Sequence, residues 1–159
     1  MGGRFKKLYL LLVCLLIGFI LLIFFPVKVY GATGVPKILN YQGRLLDVNE
    51  NLLGGTGTDF CFKFSIYDDA VVGAPDNKLW PSATSSVMTI NVSNGVFNTA
   101  IGDTGAGSDA LDFNFQDNDA AFLHIEVADK VGATCSAGDG AEVFETLGPR
   151  QRVGASGYA

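Results

Sequence analysis

Asp59-Phe60-Cys61-Phe62-Lys63-Phe64-Ser65-Ile66-Tyr67-Asp68 decides the fold. Phe60, Phe62, Phe64 and Ile66 fall on every second residue, with Lys63, Ser65 and Tyr67 between them. A period of two puts the first set on one face of a β-strand and the second on the other. Burying one large apolar side chain is worth roughly 1.5–3 kcal/mol. A strand with four of them on one face therefore needs a second sheet to cover it, and the rest of the chain must supply that sheet.

Downstream, Asp69–Asn77 holds Gly73, Pro75 and Asn77 and reads as a loop. Leu79-Trp80-Pro81 reads as a short edge strand, ended by a proline that cannot donate a ladder bond. Ser86–Val92 alternates again, with Met88, Ile90 and Val92 on one face. Asn94-Gly95 then signals a tight hairpin, with Val96–Ile101 as its return strand and Phe97 and Ile101 on one face. Gly102–Asp119 is irregular, but Leu111, Phe113 and Phe115 predict that it packs down. Phe122–Val127 is a strand with Leu123, Ile125 and Val127 inward and His124 and Glu126 outward. Lys130–Glu142 is a Gly/Ala-rich loop, Val143–Leu147 is the last strand, and Gly148–Val153 exits.

Upstream, Ile38–Leu45 reads as the first strand, with Leu39, Tyr41 and Leu45 on one parity and Asn40, Gln42 and Arg44 on the other. Gly43 would let another backbone or a large side chain approach closely. Asp47–Gly55 is turn chemistry. About seven short strands, glycine-rich turns and no amphipathic helix predict an all-β fold, an Ig-like antiparallel β-sandwich.

The first 31 residues are of another kind. Arg4, Lys6 and Lys7 precede the apolar run Leu8–Phe25. A basic start and an apolar core mark an export signal, cut after Gly31 or kept as a signal-anchor helix. Residues 32–37 form a flexible leader, 38–153 the sandwich domain and 154–159 a tail. The product is expected to be exported, extracellular or at the cell surface, with membrane contact only through residues 8–25.

From Ala32 onward seven basic residues face sixteen acidic ones, a net charge of −9. That excludes nucleic acid as a partner, since phosphate neutralisation needs basic patches. Cys61 and Cys135 remain outside the signal. An even number in an exported domain permits a disulfide; the alternative is two free thiols. A bond between them would tie the 130–142 loop to the Phe60–Ile66 strand, on the face opposite the phenylalanines.

Chemistry-bearing residues are scattered. His124 is the only histidine and has no zinc or nucleophile partner in sight. Asp68, Asp69, Asp117, Asp119 and Glu126 could supply a hydrolase carboxylate pair, but acidic residues are too common for the pairing to be informative. No cofactor is expected. Calcium is the one cation the acidic loops would suit: Asp47, Asn49 and Asn51 start like an EF-hand loop, yet Leu52 and Thr58 stand where Gly and Glu are required. The second candidate is the loop holding Asp103, Asp109, Asp112, Asp117 and Asp119. Trp80, Tyr67 and Tyr41 are candidate sugar-stacking faces, with Trp80 also suited to plug the core.

Three pieces together, Pro36–Leu45 (Pro-Lys-Ile-Leu-Asn-Tyr-Gln-Gly-Arg-Leu), Ser93–Phe97 (Ser-Asn-Gly-Val-Phe) and Pro149–Val153 (Pro-Arg-Gln-Arg-Val), resemble the Asn-Tyr-Gln-Gly-Arg-Leu module of exported bacterial proteins. The resemblance covers about residues 35–159. In that family the module follows a signal peptide and often precedes a repetitive or trimeric fibre-like stalk. Some members end in a self-cleaving chaperone domain of the tail-fibre type. The resemblance implies a surface or extracellular β-sandwich with no enzymatic activity to carry over. A stalk does not follow within these 159 residues. The expected function is a non-catalytic surface module, structural or adhesive, that meets other surface proteins or glycans. A carbohydrate-binding module is the alternative, and a carboxylate-pair hydrolase the third class.

Overall fold

The computed structural model describes residues 37–73, 75–135 and 142–154. The apolar run Leu8–Phe25, the leader up to Pro36 and the tail from Ala155 lie outside the described residues. Among the described residues no helix is long and apolar enough to cross a membrane.

The fold is all-β. Its strands are β1 (Leu39–Arg44), β2 (Thr58–Tyr67), β3 (Lys78–Trp80), β4 (Met88–Val92), β5 (Val96–Ile101), β6 (Phe122–Asp129) and β7 (Glu145–Arg152). Every pairing is antiparallel. β2 is the spine of the larger sheet. One edge pairs with β6 along its length, from Phe60↔Asp129 to Tyr67↔Phe122. The other edge is shared, with β4 against Thr58–Phe62 and β3 against Ile66 and Tyr67. β7 lies on the far side of β6. Among the described residues the smaller sheet is β1 and β5 alone.

The two sheets face each other across the phenylalanines. Phe62 and Ile66 are fully buried, and Phe60 and Phe64 nearly so. Phe62 stacks on Phe64 with ring centroids 5.9 Å apart and meets Phe97 of β5 at 4.6 Å. Tyr41 of β1 sits edge-on to Phe64 at 6.5 Å. The cover that the β2 alternation demands is thus the β1–β5 ribbon. Gly43 leaves room for the ring of Phe97, its partner on β5, to lie across β1, because a methyl group there would collide with that ring.

Three features differ from the sequence reading. The Asn94-Gly95 reversal forms as expected, with φ of 48° and 75°, but its arms do not lie in one sheet. β4 joins β2 below and β5 joins β1 above, because Met88, Ile90 and Val92 must face Phe97 and Ile101 across the core rather than beside them. The last strand is longer than Val143–Leu147. It starts at Glu145 and runs through Gly148-Pro149 to Arg152, with extra residues bulged out between Leu147↔Ile125 and Gln151↔Leu123. A bulge lets proline stay in a strand whose ladder it would otherwise interrupt. Finally, the outer face of β2 and β6 is not wet. Cys61, Ser65 and His124 on that face are buried beneath the loops around residues 69–76 and 142–144.

Cys61 and Cys135 are joined by a disulfide, with Cα atoms 5.5 Å apart. It fixes the loop after β6 to β2, on the face away from the phenylalanines.

Candidate functional site

A cleft of about 750 Å³ lies between β1 and β7. It exists because the cover is two strands wide and the sheet below is wider. β5 and β1 roof β2, and the inner face of β6 and β7 runs on beyond β1. Leu123, Ile125 and Leu147 line this overhang, Gln42–Leu46 form one wall, and Gly148, Pro149 and Gln151 stand on the β7 side. Tyr41 closes one end, near the Gln151 side chain. Burial raises the Tyr41 phenol above its ordinary value of 10.0, against the opposing pull of the Gln151 side chain, so it is neutral at physiological pH.

The β1 wall is a strand edge. Its register with β5 runs from Leu39↔Ile101 to Arg44↔Val96, and the Leu45 N–H continues it by donating to the Gly95 carbonyl at 2.7 Å. In an antiparallel ladder the bonded residues alternate. The groups of Leu39, Tyr41 and Gly43 therefore go to β5, and the N–H and C=O of Asn40, Gln42 and Arg44 point away from it, those of Gln42 and Arg44 at the cleft. Among the described residues no strand pairs with that edge. The Asn40, Gln42 and Arg44 side chains are exposed.

A second polar cluster sits on the opposite face of the larger sheet. Arg150 projects from β7 with its side chain 2 % exposed. Its Nε donates to His124 Nδ1 at 3.1 Å, and its Nη1 donates to the carbonyls of Asp69 and Val71 at 2.9 and 3.2 Å. The same nitrogen lies 2.6 Å from Asp76 Oδ2, an ion pair set off the hydrogen-bond direction. The guanidinium also covers the Tyr67 ring at 3.8 Å. Arg150 thus holds the 69–76 loop against the sheet. Accepting the Nε–H at Nδ1 requires His124 to be neutral with its proton on Nε2. Burial first, and the Arg150 charge second, lower its pKa below 6.5, while Glu126 and Asp76 oppose them.

That shift gives a pH dependence. Between the unfolded value of 6.5 and the lower folded value, the unfolded chain holds more protons than the folded one. The contribution is complete above about pH 6.5 and falls as pH drops through the folded pKa. Urea titrations at about pH 7.5 and 5 are expected to show lower stability at pH 5, with a smaller difference in His124→Gln. An equal loss in both proteins would contradict the coupling.

The other predicted residues are spread out. Trp80 is 1 % exposed and its Nε1–H donates to the Ala110 carbonyl at 2.9 Å, so its faces are core surface and not a sugar platform. Tyr67 lies under Arg150, with His124 at its edge 5.2 Å away. Of the three rings only Tyr41 lines the cleft. Asp47 spends both oxygens on its own turn, accepting from the Asn49 and Asn51 backbone and the Asn51 side chain. Asp109 receives Ser86, Asp103 caps Gly105, and Asp117 accepts from Asn114. Asp68 is bound by Asn77 and Asp69 by the Val71 N–H. Among the described residues no three His, Cys, Asp or Glu side chains gather to hold a metal ion.

Sequence reasoning missed the cleft and Arg150. The width difference between the sheets follows from β4 and β5 parting to opposite layers, which the Asn-Gly signal does not carry. Arg150 keeps an outward parity on β7 and is buried only because a distant loop brings Asp76 over it.

Comparison with curated proteins and with solved structures finds no match. A family model described as Domain of unknown function (DUF8740) matches residues 40–150, from β1 into β7, and the chain belongs to that family.

Proposed function

We propose that the chain is a non-catalytic module of the cell surface or extracellular space, Ig-like in outline, with a structural or adhesive role. The cleft between β1 and β7 carries this reading, because it presents bare backbone above an apolar floor, which is recognition surface and not reaction chemistry. Export is supported by the basic-then-apolar N-terminal pattern, and the Cys61–Cys135 bond suits an oxidising compartment. A surface charge of −9 keeps such a domain soluble and self-repelling. The likeness to the Asn-Tyr-Gln-Gly-Arg-Leu module points the same way. The burial of Trp80 removes the strongest argument for carbohydrate binding.

The test uses the exported product, purified from the medium or released from the cell surface. Immobilised on beads, it is expected to bind envelopes of the producing cells saturably, and protease treatment of the envelopes is expected to abolish binding. Absence of binding, together with an unaltered envelope when the protein is deleted, would refute the reading. Binding resistant to protease but blocked by free glycans would favour the carbohydrate alternative.

A further inference from the structure

We propose that the β1 edge is a docking site for one extended peptide strand, apolar at alternate residues and carrying a carboxylate opposite Arg44. The peptide would become the third strand of the smaller sheet. This rests on the surface-module reading and names the partner of the same cleft.

The dimensions fit a strand. β1 spans six residues, about 20 Å at 3.3 Å per residue. Its Asn40, Gln42 and Arg44 backbone groups offer three N–H donors and three carbonyl acceptors along that length. A strand bonded to them would lie over Leu123, Ile125 and Leu147 and turn every second side chain onto them. At the mouth by Arg44, Leu46 and Val96 add exposed apolar surface of the roof strands, 44 % and 36 % exposed.

The opposite wall restricts the guest. β7 carries Pro149 and a bulge, which remove ladder donors and break the edge, whereas β1 has neither. The guest therefore bonds to β1 and only packs against β7. β7 also blocks a whole sheet: a second copy arriving edge-on through its own β1 would bring its larger sheet into the place that β7 occupies. The cleft admits a lone segment.

Charge selects among segments. Lys130 pairs with Asp59 and Arg150 with Asp76, Lys63 covers the Phe144 ring, and Lys78 and Arg152 donate to backbone carbonyls. Arg44 has no such partner among the described residues and is the one charged side chain lining the cleft. In a domain of net charge −9 it is a local cationic spot that a carboxylate would complement.

The test is backbone amide exchange by NMR on the exported protein. The probes are three blocked peptides with lysine tails: one of alternating valine and threonine with a central glutamate, one of the same composition with contiguous valines, and one with a central lysine. The alternating glutamate peptide, at about millimolar concentration, is expected to slow exchange at Asn40, Gln42 and Arg44 by about tenfold or more. Arg44→Glu should transfer the preference to the lysine peptide. Gln42→Pro removes a cleft-facing N–H, tolerable at an edge, and should abolish the effect while the melting temperature stays within a few degrees. No protection, protection elsewhere, or equal protection by the contiguous-valine peptide would overturn the proposal. So would a sedimenting dimer with those amides already protected. Envelope binding that survives Gln42→Pro would overturn this inference alone; wild-type protein that binds no envelope, with the envelope unaltered when the protein is deleted, refutes the module reading.

Discussion

Replacing Phe62 by alanine is expected to cost about 3–5 kcal/mol of folding stability. Its ring is fully buried, and it touches both layers: Phe64 beside it on β2 at 5.9 Å, and Phe97 of the covering strand at 4.6 Å. Alanine would remove the contacts that hold β5 over β2 and leave a cavity between sheets that can close only by moving backbone. With 5–15 kcal/mol as the usual total for a domain, the variant should be near its unfolding threshold at 25 °C. Urea unfolding should show the midpoint falling with an unchanged slope. Phe62→Leu keeps most of the volume and should lose well under half as much. A loss below about 1 kcal/mol in Phe62→Ala would mean that the ring is not at the centre of the core.

The second large effect is expected at Arg150. Arg150→Met keeps most of the stem but leaves Asp76 facing the sheet without its cation, and strips the Asp69 and Val71 carbonyls of their donor. Breaking a buried ion pair from one side costs about 3–5 kcal/mol, because the remaining charge stays desolvated. Adding Asp76→Asn should recover a large part of that loss, since the stranded charge is gone. Arg150→Lys should not restore stability, because an ammonium cannot reach His124, two carbonyls and a carboxylate as a planar fork does. Exchange of the amides in the 69–73 segment should quicken in Arg150→Met before the rest of the sheet responds. Wild-type protection of that loop in the variant would show that Arg150 does not hold it.

Much of the layering is legible in the period-two stretches. Phe60–Ile66, Met88–Val92 and Leu123–Val127 each place their apolar residues inward, because burial is the only way to satisfy so much apolar area on one face. The Asn94-Gly95 turn and the close approach at Gly43 could also be read, since each rests on a local property of glycine or asparagine. What could not be read is non-local. Whether β4 and β5 share a sheet depends on which partner each finds, and β2 and β1 are far away in sequence. The same choice leaves the roof narrower than the floor and so makes the cleft. His124 looks solvated by parity and Arg150 reads as part of the exiting chain, and the burial of both depends on how the 69–76 loop folds back. Pro149 argues for a strand end until the bulge that accommodates it is seen.

The two-layer core is tested most directly by nuclear Overhauser contacts between aromatic rings. Protein labelled at phenylalanine should give a cross-peak between the Phe62 and Phe97 ring protons, and Tyr41 should give peaks to Phe64 and Phe97. Absence of the Phe62–Phe97 peak, with both rings open to a soluble paramagnetic probe, would contradict a sandwich closed by β1 and β5.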